Sequence, residues 1–121
     1  MREKTRAAGA VDLFALARGC YGVLLICVPQ RMVGVCTRHP ASPRALRVIR
    51  VLGARHLIQA LLSRPSAPEL EAGCAVDTAH AASMFGLGLA SRALRKPALA
   101  DACVATGMAT FGLLTARRLR G

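Results

Sequence analysis

The chain has no tryptophan, one tyrosine and three phenylalanines among its 121 residues, so it offers little on which bases could stack. Acidic residues are scarce as well, six against 17 lysines and arginines, which leaves a net charge of +11. A surplus of that size usually points to nucleic acid. No RNA- or DNA-binding motif accompanies it here. All the cations except Arg18, Arg50 and Arg55 lie in tails and connections beside apolar segments, where a membrane protein keeps its headgroup contacts. Nucleic acid is therefore not the expected partner. The five cysteines, Cys20, Cys27, Cys36, Cys74 and Cys103, form no CxxC and no paired spacing, so they read as small apolar residues of a reduced protein. No stretch alternates with period two, which leaves no strand to propose.

What is abundant is apolar surface. Hydrophobic residues make up 54% of the chain, a high share for a soluble domain of this length. Four apolar segments stand out: Val11 to Val28, Val48 to Leu62, Gly73 to Ala90 and Ala98 to Ala116, about 15 to 19 residues each. Those lengths approach what a helix needs to cross hydrocarbon. Each segment also holds an ionisable residue, so a soluble four-helix domain stays open as an alternative. The first resembles a signal peptide, but Asp12 and Arg18 interrupt its apolar run and no cleavage box precedes Cys20 or Cys27. It reads as a retained helix.

Punctuation fits two helical hairpins. Pro29 closes the first segment, HPASPR (His39 to Arg44) breaks the next stretch, SRPSAPELE (Ser63 to Glu71) separates the second and third, and Pro97 opens the fourth. The expectation is an all-α fold, a four-helix transmembrane bundle forming a single integral membrane domain over residues 1–121, with frayed basic ends.

At about 100° per residue, Gly73, Asp77, His80, Met84, Gly88 and Ser91 share one stripe of the third segment, with Ala82, Gly86 and Ala90 roughly opposite. The fourth segment repeats the arrangement. Asp101, Ala105, Met108, Gly112 and Thr115 lie on one side, and Ala102, Thr106 and Thr110 on another. Small residues let membrane helices approach closely. Ala82, Gly86, Ala90, Ala102, Thr106 and Thr110 are therefore the expected helix-packing positions, and a second sticky face implies another membrane protein or a second copy.

Within the segments, Arg18, Arg50 and Arg55 balance Asp12, Asp77 and Asp101, with His56 and His80 beside them. A charge at mid-bilayer costs about 3 kcal/mol on insertion scales, so such residues turn inward and pair. The stretch RVLGARHLIQALL, Arg50 to Leu62, tolerates Arg55 and His56 only if neighbouring helices supply counter-charges: Arg55 is expected to meet Asp77 or Asp101. Arg18, Arg55, His56, Asp77, His80 and Asp101 form the expected intramembrane polar network. It serves either as registry glue between helices or as a proton, ion or substrate path. Asp77 and His80 have the i, i+3 spacing of metal-binding helices, and His56 with His80 the makings of a haem pair. The metal set lacks similar ligands from further helices and a single His pair is common by chance, so no metal and no cofactor is expected. Ser83, His80 and Asp77 run in line along one helix without an oxyanion donor, which argues against catalysis. Orientation is balanced: Arg2, Lys4, Arg6, Arg64, Arg117, Arg118 and Arg120 would share one side, and Arg31, Arg38, Arg44, Arg47, Arg92, Arg95 and Lys96 the other.

GARHLIQA (Gly53 to Ala60) together with VDTAHAASM (Val76 to Met84) resembles a group of small multi-spanning membrane proteins of actinobacteria, mycobacterial in type. The resemblance covers roughly Arg44 to Ala116 and implies a plasma-membrane location without implying a reaction. The functional expectation is a non-enzymatic accessory or assembly subunit of a larger membrane complex, in contact with membrane lipids. The alternative is a proton-coupled carrier or channel acting as a homodimer.

Overall fold

A computed structural model describes residues 2–62 and 66–121, with the side chains of residues 3, 4 and 7 outside the description. The opening of the connection expected at Ser63, Arg64 and Pro65 therefore lies outside the described residues. The described residues are helical almost throughout: α1 (Arg2–Cys27), α2 (Pro29–Cys36), α3 (Pro43–Leu62), α4 (Ala67–Ala90) and α5 (Arg95–Arg120). No strand occurs among them, and the all-α expectation holds.

Among the described residues the helices number five where four were expected, and the boundaries shift for local reasons. The additional α2 begins at Pro29, whose fixed φ suits a first helical position just after Val28 interrupts α1. Helix α3 starts at Pro43 instead of Val48. Ser42 caps it, its Oγ accepting the Ala45 N–H at 3.2 Å, so the polar turn before Val48 is already helical. Helix α4 starts at Ala67 instead of Gly73. Pro68 occupies the first turn and Glu69 follows it, an acid placed where the positive end of the helix dipole favours it. The two acids expected in the connection thus belong to the helix start. At the other end of the chain, Pro97 falls in the first turn of α5.

Two compact units divide the chain: Met1–Val11 with Arg64–Gly121, and Asp12–Ser63. In the first, α4 and α5 pack as a hairpin. Cys74 fits a notch at Gly112, where an added Cβ would lie 2.7 Å from Sγ, and Leu99 covers Gly88 in the same way, at 3.0 Å. Val11, Ala67, Leu70 and Ala116 form the apolar cluster of this unit, with Leu119 against it. Half-buried Glu71 and exposed Arg120 pair at 2.5 Å near the open end of the hairpin.

In the second unit, α1 and α3 run antiparallel at very close range. A Cβ on Gly22 would stand 2.7 Å from the Gly53 carbonyl oxygen, and one on Gly53 would stand 2.7 Å from that of Gly22. Gly19 faces Ala60 at the next contact along the pair. Such backbone approach is possible only between residues without side chains, the means by which helices associate where hydrophobic collapse gives no help.

Among the described residues, two helices are long and apolar enough to cross a membrane: α1 over Ala8–Cys27, and α5. Helix α3 carries Arg44, Arg47, Arg50 and Arg55, and α4 carries Glu69, Glu71, Asp77 and His80, which dilute their apolar character.

Candidate functional site

The six expected network residues divide evenly between the units. Arg18, Arg55 and His56 belong to the α1–α3 pair; Asp77, His80 and Asp101 belong to the α4–α5 hairpin.

In the α4–α5 hairpin, the stripe that turns inward is the polar one. Asp77 is fully buried at 0% exposure, with Cys74 and Gly88 buried on the same helix. One turn on, His80 Nε2 lies 2.6 Å from Asp101 Oδ2 across the hairpin. A carboxylate can only accept, so Nε2 supplies the proton in this contact. Both side chains are largely enclosed, at 17% and 14% exposure, which makes the bond stronger than one in open water. Asp101 and Asp77 each have a further polar or ionic contact.

The small-residue positions separate. Ala102 is buried in the α4–α5 contact, along with Ala98, Ala105 and Gly112. Ala82, Gly86 and Ala90 are exposed, as are Thr106 and Thr110, and nothing approaches the position a Gly86 Cβ would take. These five belong to outward faces of their own hairpin.

In the α1–α3 pair, His56 is 1% exposed, and its ring meets Tyr21 edge-on, with centroids 5.2 Å apart and planes at 70°. An edge-to-face contact of this kind stabilises by roughly 0.5–1.5 kcal/mol beyond the area it buries. Arg18 is 3% exposed and places its guanidinium 4.8 Å above the Phe14 ring. This is a cation–π contact between residues one helical turn apart. Arg55 is half-buried, and Arg18, Arg55 and His56 each have an additional polar, ionic or ring contact.

Neither Tyr21 nor Phe14 was among the candidate residues, although both stand at helical spacing from Arg18, a signal present in the sequence. Gly22 and Gly53, the tightest approach in this unit, lie outside the expected small-residue stripes of the third and fourth segments. Gly19-x-x-Gly22 was the available hint.

Hydroxyl groups complete the pattern. Thr78, Ser83, Thr106, Thr110 and Thr115 each donate to the carbonyl four residues back, at 2.7–2.9 Å. A hydroxyl closed on its own helix needs no water, which is the arrangement hydrocarbon requires. Among the described residues no group of three or more His, Cys, Asp or Glu side chains is placed to hold a metal ion. No disulfide forms among the described residues, and Cys20, Cys27 and Cys103 are exposed.

No protein-family profile, no curated protein and no solved structure matches this chain.

Proposed function

We propose that the chain is a small multi-pass protein of the plasma membrane, a four-helix transmembrane bundle of the type found in actinobacteria. In this reading it is a non-enzymatic accessory or assembly subunit of a larger membrane complex. The observation that carries the reading is an inverted distribution of polarity. Arg18, His56 and Asp77 are buried, whereas Leu61 and Val51 are 78% and 70% exposed, with Leu13, Leu16 and Leu89 exposed as well. In water, exposing so much apolar surface would cost about 25 cal/mol per Å². Against lipid tails it costs nothing, and burying the charges becomes the favourable choice.

Helices α3 and α4 join α1 and α5 as spans because their ionisable side chains turn inward and pair. The six residues Arg18, Arg55, His56, Asp77, His80 and Asp101 act as registry glue. The exposed Ala82, Gly86 and Ala90 stripe then accepts a helix of another membrane protein. The test is extraction of tagged protein in mild detergent, followed by mass spectrometry of what co-purifies at constant stoichiometry. A defined larger partner is the expected result.

One observation favours a second reading, a proton-coupled carrier or channel working as a homodimer. The His80–Asp101 pair is an ionisable couple that retains some exposure within a span. Recovery of a clean homodimer with nothing else retained would support this reading and refute the first.

A further inference from the structure

No Asp or Glu occurs from Leu13 to Pro68, a stretch that holds eight arginines. The α1–α3 pair is antiparallel, so the C-terminal end of α1, the whole of α2 and the first turns of α3 share one end of this unit. Arg31 of α2, Arg38 after it, and Arg44, Arg47 and Arg50 of α3 are all exposed at that end. No carboxylate meets any of the five among the described residues.

The three arginines of α3 recur every third residue. Each step turns about 60° around the helix, so the three cover roughly a third of its circumference. They rise about 9 Å along the axis, comparable to a headgroup layer. Beyond Arg50 the character of this same face changes at once. Val51, Ile58, Leu61 and Leu62 continue it, all exposed and all apolar.

We propose that this end is a docking surface for anionic phospholipid, with headgroup phosphates against Arg44, Arg47 and Arg50 and acyl chains along the apolar continuation of the same face. The inference rests on the membrane reading and deepens it. Helical side chains lean toward the N-terminus, so Arg44, Arg47 and Arg50 reach back toward the headgroups and away from the apolar half of α3. Guanidinium forks match phosphate oxygens two at a time, and unpaired arginines have their donors available for them. A nucleic acid would satisfy the arginines but leave the apolar continuation of the face in water. A lipid satisfies both halves with one molecule, phosphate against arginine and acyl chain against valine and leucine.

The experiment uses the full chain in phosphatidylcholine vesicles containing spin-labelled phosphatidylglycerol or spin-labelled phosphatidylcholine. Electron paramagnetic resonance reads the relative association constant of the two lipids. The expected preference for phosphatidylglycerol is about fivefold, the factor one basic residue confers at an anionic surface. It should fall toward one in R44Q/R47Q/R50Q, and also in about 1 M salt, where the screening length shrinks to about 3 Å. R44K/R47K/R50K should keep part of it, which separates headgroup attraction from misfolding. R92Q/R117Q/R118Q, which removes the same charge elsewhere, should keep most of it. Retained preference in the glutamine triple, or equal loss in the control triple, overturns the proposal. So does displacement of phosphatidylglycerol by a single-stranded oligonucleotide at physiological salt, which would make this a nucleic-acid surface. A chain that does not insert refutes the membrane reading with it, whereas one that inserts without lipid preference refutes this surface alone.

Discussion

Replacing Gly53 with alanine tests how the α1–α3 pair is held. The new methyl would meet the Gly22 carbonyl oxygen at 2.7 Å, Leu25 Cβ at 2.8 Å and Ile26 Cγ1 at 2.9 Å. A rotamer change relieves only the last of these, so the helices must move apart. Overpacking of this kind costs about 1–3 kcal/mol, and two rigid contacts place Gly53 in the upper half of that range. Alanine returns about 0.5–1 kcal/mol through its better helix propensity. The net expectation is a loss of about 1–2 kcal/mol. Gly86→Ala is the control, because nothing lies near its Cβ position, and it should be neutral or slightly stabilising. Reversible unfolding in mixed SDS and maltoside micelles, followed by circular dichroism, measures both. Gly22 and Gly53 block each other's Cβ positions, so the double alanine variant should cost clearly less than the sum of the singles. Helices already separated for one methyl have room for the second. Equal stability of Gly53→Ala and Gly86→Ala would refute the close-packing argument.

Three further outcomes follow from the same geometry. Gly112→Ala should destabilise the α4–α5 hairpin by driving a methyl into Cys74 Sγ, and Cys74→Ala should recover most of that loss in the double variant, read by the same unfolding assay. His80→Ala should cost about 1–3 kcal/mol through loss of the enclosed bond to Asp101, with His80→Gln recovering part of it. In the proposed network, Arg55→Ala and Asp77→Ala each remove a charged partner, and immunoblots should show reduced abundance in the membrane. Normal accumulation with loss of a transport phenotype alone would refute the glue reading in favour of the carrier.

The existence of α1, α3, α4 and α5 was legible in the sequence from four apolar runs separated by proline-containing breaks. Helix extent was less so. Hydropathy marks the part of a helix that is apolar, whereas capping and first-turn chemistry at Ser42, Pro68 and Glu69 decide where the backbone starts to coil. The short α2 escaped notice because eight residues hold too few turns to establish a period. Of the site, the projection of α4 placed Asp77 and His80 together on one stripe, and the structure sets that stripe against α5 with His80 on Asp101. Composition alone could not tell which of two small-residue faces packs inside, since Ala102 and Ala82 have the same side chain. The partner of His56 was equally illegible. Contact with Tyr21 depends on the crossing of α1 and α3, which Gly22 and Gly53 fix through a contact 31 residues apart in sequence.

Native cysteines offer the most direct measurement of the central claim, that apolar outer faces meet lipid. Cys20 lies within α1 and Cys103 within α5, and both side chains are exposed. Membranes opened to both faces are treated with a charged maleimide, before and after unfolding in SDS, and mass spectrometry counts the adducts at each site. The account predicts that Cys20 and Cys103 resist labelling in the bilayer, where a charged reagent does not enter, and label fully once unfolded. Prompt labelling of both in intact bilayers would place these faces in water and contradict it.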